Sequence, residues 1–91
     1  MGTSALRTLL QEQLAWNKGI PVPGSDPSLW RYDAYGSLIY RWHYGRRDSQ
    51  WGWEIDHVWP ASLGGPDNLS NYRPLHWRNN LSRPALSLFG L

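Results

Sequence analysis

The sequence contains no cysteine, so the chain can form neither a disulfide bond nor a thiolate zinc site. It has no apolar run approaching the roughly 20 residues that span a bilayer, and its first residues lack the apolar core of a secretory signal. We therefore expect a cytoplasmic protein without a membrane partner. Acidic residues are also few, seven against nine Lys and Arg, which gives a net charge of +2. This mild basic balance is compatible with a nucleic-acid partner but does not identify one.

Aromatic side chains, by contrast, are abundant, with seven Trp and five Tyr among 91 residues. A chain of this length forms one domain, and a small domain needs a dense core to be stable. Large aromatic side chains bury much area per residue. We therefore interpret most of the tryptophans as core.

The pattern of apolar residues and breakers predicts a single α+β domain over residues 1–91. The predicted segments are an N-terminal helix at 1–19, an extended connector at 20–29, a β-hairpin and loop at 30–50, a strand–loop–strand–helix unit at 51–83 and an apolar tail at 84–91. The first helix is amphipathic, and its apolar stripe consists of Leu6, Leu9, Leu10 and Leu14. Either Thr3 or Ser4 can cap its start.

Two prolines are expected to limit the elements of the second half. Pro74 should shorten the second strand of the unit, and Pro84 should end the helix that follows it. The apolar tail after Pro84 would then either cover the core of its own chain or pair two subunits.

A set of polar residues recurs along this second half. The stretch WEIDHVWPASLGGPDN places Asp56 and His57 side by side at the end of a predicted strand. Asn71 opens the next strand and Asn80, with Asn79 as its alternative, lies on the following helix, so a chain that doubles back can bring them together. An imidazole can accept a proton near neutral pH, and carboxylate and amide oxygens are ligands that Mg²⁺ prefers. Two protein ligands would leave positions on the ion for phosphate oxygens.

Strand alternation predicts which way these side chains point. Trp53, Ile55 and His57 should share one face, with Glu54 and Asp56 on the other. In-line displacement at phosphorus needs the attacking water and the leaving group on opposite sides. A metal held by Asp56 and a base at His57 would suit that requirement, and the hypothesis fails if both side chains lie on one face of a regular strand.

The segment EIDHVWPASLGGPDNLSNYRPLHWRNN resembles the ββα-metal motif of the HNH endonucleases. The resemblance covers Trp51 to Arg83. His57, Asn71 and Asn80 match the three signature positions, and their intervals of 14 and 9 residues suit the branch of the family that ends in Asn.

The resemblance implies metal-dependent hydrolysis of DNA phosphodiester bonds, with double-stranded DNA as the expected partner. His57 would act as general base, and Asn71 would orient its ring. Asp56 and Asn80 would hold one divalent ion, Mg²⁺ or alternatively Mn²⁺. Arg83 matches a basic position that could steady the phosphate.

Further candidates surround this set. Arg46, Arg47 and Arg78 are expected to contact the substrate backbone. His76 lies four residues before Asn80 and is a possible extra metal ligand. The paired cysteines that bind a structural zinc in many HNH proteins are absent, so no structural zinc is expected.

Other functions stay open at this point. The chain could be an HNH-like module that binds nucleic acid without cleaving it, or a small metal-binding interaction domain. No helix-turn-helix or other reader of DNA grooves is recognisable. We therefore expect low sequence specificity, or specificity supplied by a protein partner or by dimerisation. The resemblance also implies a bacterial or phage origin.

Overall fold

The structure, a computed structural model, describes residues 3–88. Its elements in chain order are α1 (Thr3–Trp16), β1 (Ile20–Pro21), β2 (Trp30–Tyr32), β3 (Leu38–Tyr40), β4 (Trp53–His57), β5 (Tyr72–His76) and α2 (Trp77–Leu88). Strands β1, β2 and β3 form one antiparallel sheet, and β4 and β5 form another. The predicted α+β architecture is confirmed. No helix within the described residues has the length and apolar character needed to cross a bilayer.

Helix α1 packs on the domain through its C-terminal end. Ala15 and Trp16 are fully buried, whereas Leu9, Leu10 and Leu14 are 47%, 57% and 43% exposed. The predicted leucine stripe is therefore largely exposed at these three positions, and the side chain of the fourth leucine lies outside the described residues. The indole Nε1 of Trp16 donates to a connector carbonyl 3.0 Å away. This anchor in the last turn orients the helix, so periodicity alone does not decide which side is buried.

The three-stranded sheet contains the predicted hairpin and one further strand. The first two residues of the connector form the edge strand β1, which pairs with β2. The proline in β1 is accepted because an edge strand leaves one side of its backbone unpaired. The second arm of the hairpin is shorter than predicted: it ends at Tyr40, and residues 41–43 turn as a short 3₁₀ helix.

The second half of the chain is a β-hairpin followed at once by a helix. Strands β4 and β5 pair over five residues each, and α2 begins at the residue after β5. Pro74 lies inside β5 and Pro84 inside α2, so neither limits its element as predicted. Among the described strands β5 pairs only with β4, so one side of its backbone makes no strand-to-strand hydrogen bonds. Pro74, which has no N–H, is accepted on that side. The predicted apolar tail lies outside the residues whose side chains are described.

The core is aromatic, but it uses only part of the tryptophan set. Trp16 and Trp53 are fully buried, with ring centroids 5.2 Å apart. An indole of this kind removes roughly 200 Å² from water, worth about 5 kcal/mol before the entropy cost. Trp42 and Trp59 are 62% and 55% exposed, and the other three tryptophans are half-buried. The prediction that most tryptophans are core is therefore too broad.

Candidate functional site

The candidate residues of β4 face opposite sides of the β4–β5 hairpin. Paired residues of an antiparallel ladder share a face, and the register pairs Asp56 with Arg73 and His57 with Tyr72. Asp56 and His57 therefore project in opposite directions, as strand alternation predicts. The Asp56 face meets α2, and the His57 face meets the loop that joins the two strands.

Two guanidinium groups hold the carboxylate of Asp56. Asp56 is only 6% exposed, and its Oδ2 lies 2.8 Å from Nε of Arg73 and 3.0 Å from Nε of Arg83. Burial acts to lower the pKa of Arg73, but the contacts with Asp56 and Tyr35 together outweigh it, so that pKa lies above its ordinary value. The other oxygen, Oδ1, has no hydrogen-bond partner among the described residues. Every buried side-chain oxygen or nitrogen of the described residues has a hydrogen-bond partner. Since Oδ1 has none, it must be accessible to solvent.

Asn80 reaches the same face from the first turns of α2. Its Nδ2 donates to Oε1 of Glu54 at 2.8 Å. A carboxylate can only accept, so the amide must present its NH₂ group to Glu54 and turn its carbonyl oxygen away. That oxygen has no protein partner within the described residues. Glu54 is itself paired with Arg47, and this hydrogen bond, helped by Asn80 and opposed by burial, lowers the pKa of Glu54.

The alternative residue, Asn79, has a different role. Its Nδ2 donates to Asp33 at 2.8 Å and to Oγ of Ser37 at 2.9 Å. Asp33 is fully buried, and its carboxylate also accepts the N–H of His76, the residue that precedes α2. Asn79 thus ties the helix to the β2–β3 turn, and Asn80 is the asparagine that lies beside the site.

On the other face, the ring of His57 is held by the loop and by β5. Its Nε2 lies 3.0 Å from Oδ1 of Asp67, and its ring meets the edge of Tyr72 at a centroid distance of 5.3 Å. The hydroxyl of Tyr72 donates to the same carboxylate oxygen. These hydrogen bonds, first Tyr72 and then His57, lower the pKa of Asp67, and the carboxylate raises the pKa of Tyr72 to about 12.

The contact with Asp67 also assigns the tautomer of His57. An ionised carboxylate only accepts, so Nε2 must carry the proton. The neutral ring then keeps its lone pair on Nδ1, and this atom has no hydrogen-bond partner in the described part of the chain.

Asn71 closes the loop between β4 and β5. Its Oδ1 accepts the N–H of Trp59 at 2.8 Å, and its Nδ2 donates to the carbonyls of Trp59 and Pro66, each at 2.9 Å. No hydrogen bond joins its side chain to His57 in the described structure. The expectation that Asn71 orients the imidazole directly is therefore wrong, and Asp67 makes that contact instead.

His76 is not available as a metal ligand. It is the last residue of β5 and 6% exposed. Its Nε2 lies 2.8 Å from the carbonyl of Gln50, and its Nδ1 accepts the N–H of Arg78 at 3.1 Å. One nitrogen must donate and the other accepts, so no lone pair is left for a metal. The prediction of an extra ligand at His76 is wrong.

Three of the four arginines predicted to contact substrate are paired with carboxylates. The pairs are Arg46 with Asp48 at 2.8 Å, Arg47 with Glu54 at 2.7 Å and Arg83 with Asp56 at 3.0 Å. Arg83 also donates to the carbonyl of Val58. Arg78 differs, because it is exposed, stacks 4.9 Å from the ring of Trp77 and has no carboxylate partner among the described residues.

Asp67 was not predicted as part of the site. Arg73 was counted only among the arginines of the second half that could track a phosphate backbone, and Glu54 was used only to define a face. Glu54 could have been found, because alternation places it on the same face as Asp56, two residues away. Arg73 emerges only from the register of β5 against β4, and Asp67 only from the path of the loop. Neither of these has a local signal in the sequence.

Three or more His, Asp or Glu side chains do not gather in metal-binding geometry anywhere in the described part of the chain. A metal at the Asp56 face would therefore be held by fewer such side chains, together with the Asn80 amide. Comparisons with protein families, curated proteins and solved structures find no match. The geometry of the site and the motif resemblance must carry the functional argument.

Proposed function

We propose that this protein is a metal-dependent endonuclease of the HNH type that hydrolyses DNA phosphodiester bonds. One observation supports it above all. Asp56 and Asn80 each have one atom held by a charged neighbour and one oxygen left open, and both lie on the face of β4 opposite to His57. This arrangement supplies an oxygen ligand and a base at the end of β4 and a second oxygen ligand from α2.

The donor set fits a divalent cation. Oδ1 of Asp56 and the amide oxygen of Asn80 are hard oxygen donors, which favour Mg²⁺ or Mn²⁺ over softer metals. Glu54 keeps the Asn80 carbonyl turned outward by accepting from Nδ2. A cation held by Asp56 and Asn80 would supply positive charge for the phosphate oxygens and the leaving oxygen.

His57 performs the proton transfer in this proposal. Nδ1 carries the lone pair, so it is the nitrogen that accepts the proton of the attacking water. Asp67 holds the opposite nitrogen at 3.0 Å and stabilises the imidazolium that forms. Tyr72 limits rotation of the ring by packing its edge against it. A positioned base of this kind contributes roughly 10²–10⁴-fold to the rate.

A plasmid assay tests the proposal. Purified protein is incubated with supercoiled plasmid and Mg²⁺ or Mn²⁺, with EDTA in parallel. We expect metal-dependent nicking that falls about 10²-fold or more in His57→Ala and is lost in Asp56→Asn. The matched control is His43→Ala, because Nδ1 of His43 is committed to Oγ of Ser49 away from the site. Nicking that survives in His57→Ala would contradict the assigned base.

A module that binds nucleic acid without cleaving it is the second candidate. One observation favours it: the guanidinium groups on Asp56 and the carboxylate on His57 already satisfy much of the site internally. Plasmid that is retarded in a gel but stays supercoiled with every metal would support this candidate over the nuclease.

A further inference from the structure

We infer that Arg73 is a phosphate-binding residue of the same site, and that its contact with Asp56 makes divalent cation and DNA bind cooperatively. The inference rests on the proposed function. It adds a residue that is not one of the signature positions of the motif and a coupling between two ligands.

The charges around Asp56 oppose the binding of a cation in the absence of DNA. Asp56 carries one negative charge, and Arg73 and Arg83 carry two positive charges within 3.0 Å of one of its oxygens. The cluster is therefore net positive before any cation arrives. A divalent ion at the remaining oxygen would add two further charges at a residue that is only 6% exposed, where screening by water is weak. Free protein should accordingly bind the ion poorly.

Bound DNA would offset the positive charge beside Asp56. A DNA phosphodiester brings one negative charge, and guanidinium groups bind phosphate through parallel N–H donors. Phosphate bound at the arginines offsets their charge next to Asp56. The carboxylate then becomes a better ligand for the cation, and by linkage the cation strengthens the binding of DNA by the same factor.

Arg73 is favoured over Arg83 as the phosphate-binding residue. Arg73 uses Nε for Asp56 and also hydrogen-bonds the side chain of Tyr35, but its Nη groups bind no carboxylate among the described residues. Its side chain is 22% exposed, with the guanidinium 5.4 Å from the ring of Tyr35. Arg83 is 11% exposed and also donates to the carbonyl of Val58. Arg73 can therefore offer donors to a phosphate while it keeps its contact with Asp56.

The experiment measures Mn²⁺ binding by electron paramagnetic resonance, with and without a short DNA duplex, at constant ionic strength. The parent is full-length His57→Ala, which lacks the base and leaves the DNA intact. We expect the duplex to tighten Mn²⁺ binding at least about tenfold. Adding Arg73→Gln should tighten Mn²⁺ binding without DNA and remove most of the enhancement. The control Arg31→Gln also removes a positive charge, but Arg31 contacts backbone carbonyls at 2.8 and 2.9 Å and should leave the enhancement unchanged.

Equal Mn²⁺ affinity with and without DNA would overturn the inference, as would full enhancement in the Arg73→Gln background. If wild-type protein nicks plasmid in either case, the proposed function stands and only the coupling fails. If wild-type protein nicks no DNA with any metal, the proposed function fails as well. Near-UV circular dichroism checks the fold. Should Arg73→Gln unfold, Arg73→Met replaces it: methionine removes the charge but keeps an unbranched side chain, so loss of most of the enhancement is expected and full enhancement overturns the inference.

Discussion

At the scale of single residues, carboxylates orient the neutral polar groups of the site. A carboxylate accepts and never donates, so the group that faces it must turn a donor inward. Glu54 does this to the amide of Asn80, and Asp67 does it to the ring of His57. In both cases the accepting atom of the partner is left open. The reactive atoms are thus set by residues other than the three signature positions of the motif.

The pair of Asp67 and Tyr72 gives a pH-dependent prediction at this scale. The hydrogen bond to Asp67, with burial, raises the pKa of Tyr72 from 10.0 to about 12. A pKa raised by folding contributes stability that is fully present below pH 10 and is lost as the pH rises toward 12. We expect the tyrosinate absorbance of Tyr72 to appear near pH 12, and Asp67→Asn to move it toward 10.

A difference titration isolates this group from the other four tyrosines. The absorbance of Tyr72→Phe is subtracted from that of the wild-type protein. Asp26→Asn serves as the matched control, since the side chain of Asp26 bonds only Ser28 within the described chain. Ionisation of Tyr72 at an ordinary tyrosine pKa in wild-type protein would show that its hydroxyl does not meet Asp67.

At the scale of elements, strand alternation predicted the two faces of β4 correctly, because that pattern depends only on neighbouring residues. The role of Asn71 was not predictable in this way. Its three hydrogen bonds go to backbone groups of Trp59 and Pro66, five or more positions away. They depend on how the loop closes, including the close approach at Gly65, where a Cβ would lie 1.7 Å from the carbonyl oxygen of Trp59.

The loop clamp leads to a prediction for Asn71→Ala. This change leaves the partly buried N–H of Trp59 and two carbonyls without partners, each costing about 1–3 kcal/mol where water does not replace them. We expect the free energy of unfolding to fall by about 2 kcal/mol or more, and the amide of Trp59 to exchange faster with solvent hydrogen. The measurements are urea unfolding and amide exchange.

Asn68→Ala is the control for this prediction, because its side chain bonds only the exposed hydroxyl of Ser70 in the described loop. It should leave the Trp59 amide protected. If Asn71→Ala instead reduced nicking while the loop amides stayed protected, the direct role on His57 would have to be reconsidered.

At the scale of the whole molecule, the sequence predicted a basic surface that the fold partly neutralises. Counting residues gives +2 but cannot show which cations meet carboxylates. That depends on contacts between segments distant in sequence, such as Arg41 with Glu12. The same limit applies to α1, where spacing predicted an apolar stripe and the anchor at Trp16 decided which side is buried. Local patterns define elements, and long-range contacts define which of their faces are free.

The few arginines that can contact phosphate at the site lead to a prediction about DNA binding. If Arg73, Arg78 and Arg83 contact phosphates, three contacts should release about 2.7 counterions on duplex DNA, since each contributes about 0.9. The logarithm of the binding constant, measured in EDTA by fluorescence anisotropy, should then fall against the logarithm of salt with a slope of about −2.7. Arg78→Gln should reduce that slope by about 0.9, and Arg31→Gln should not change it. A slope of about −4.5 would mean that the two arginines paired at Asp48 and Glu54 also release their partners, because it corresponds to about five phosphate contacts instead of three.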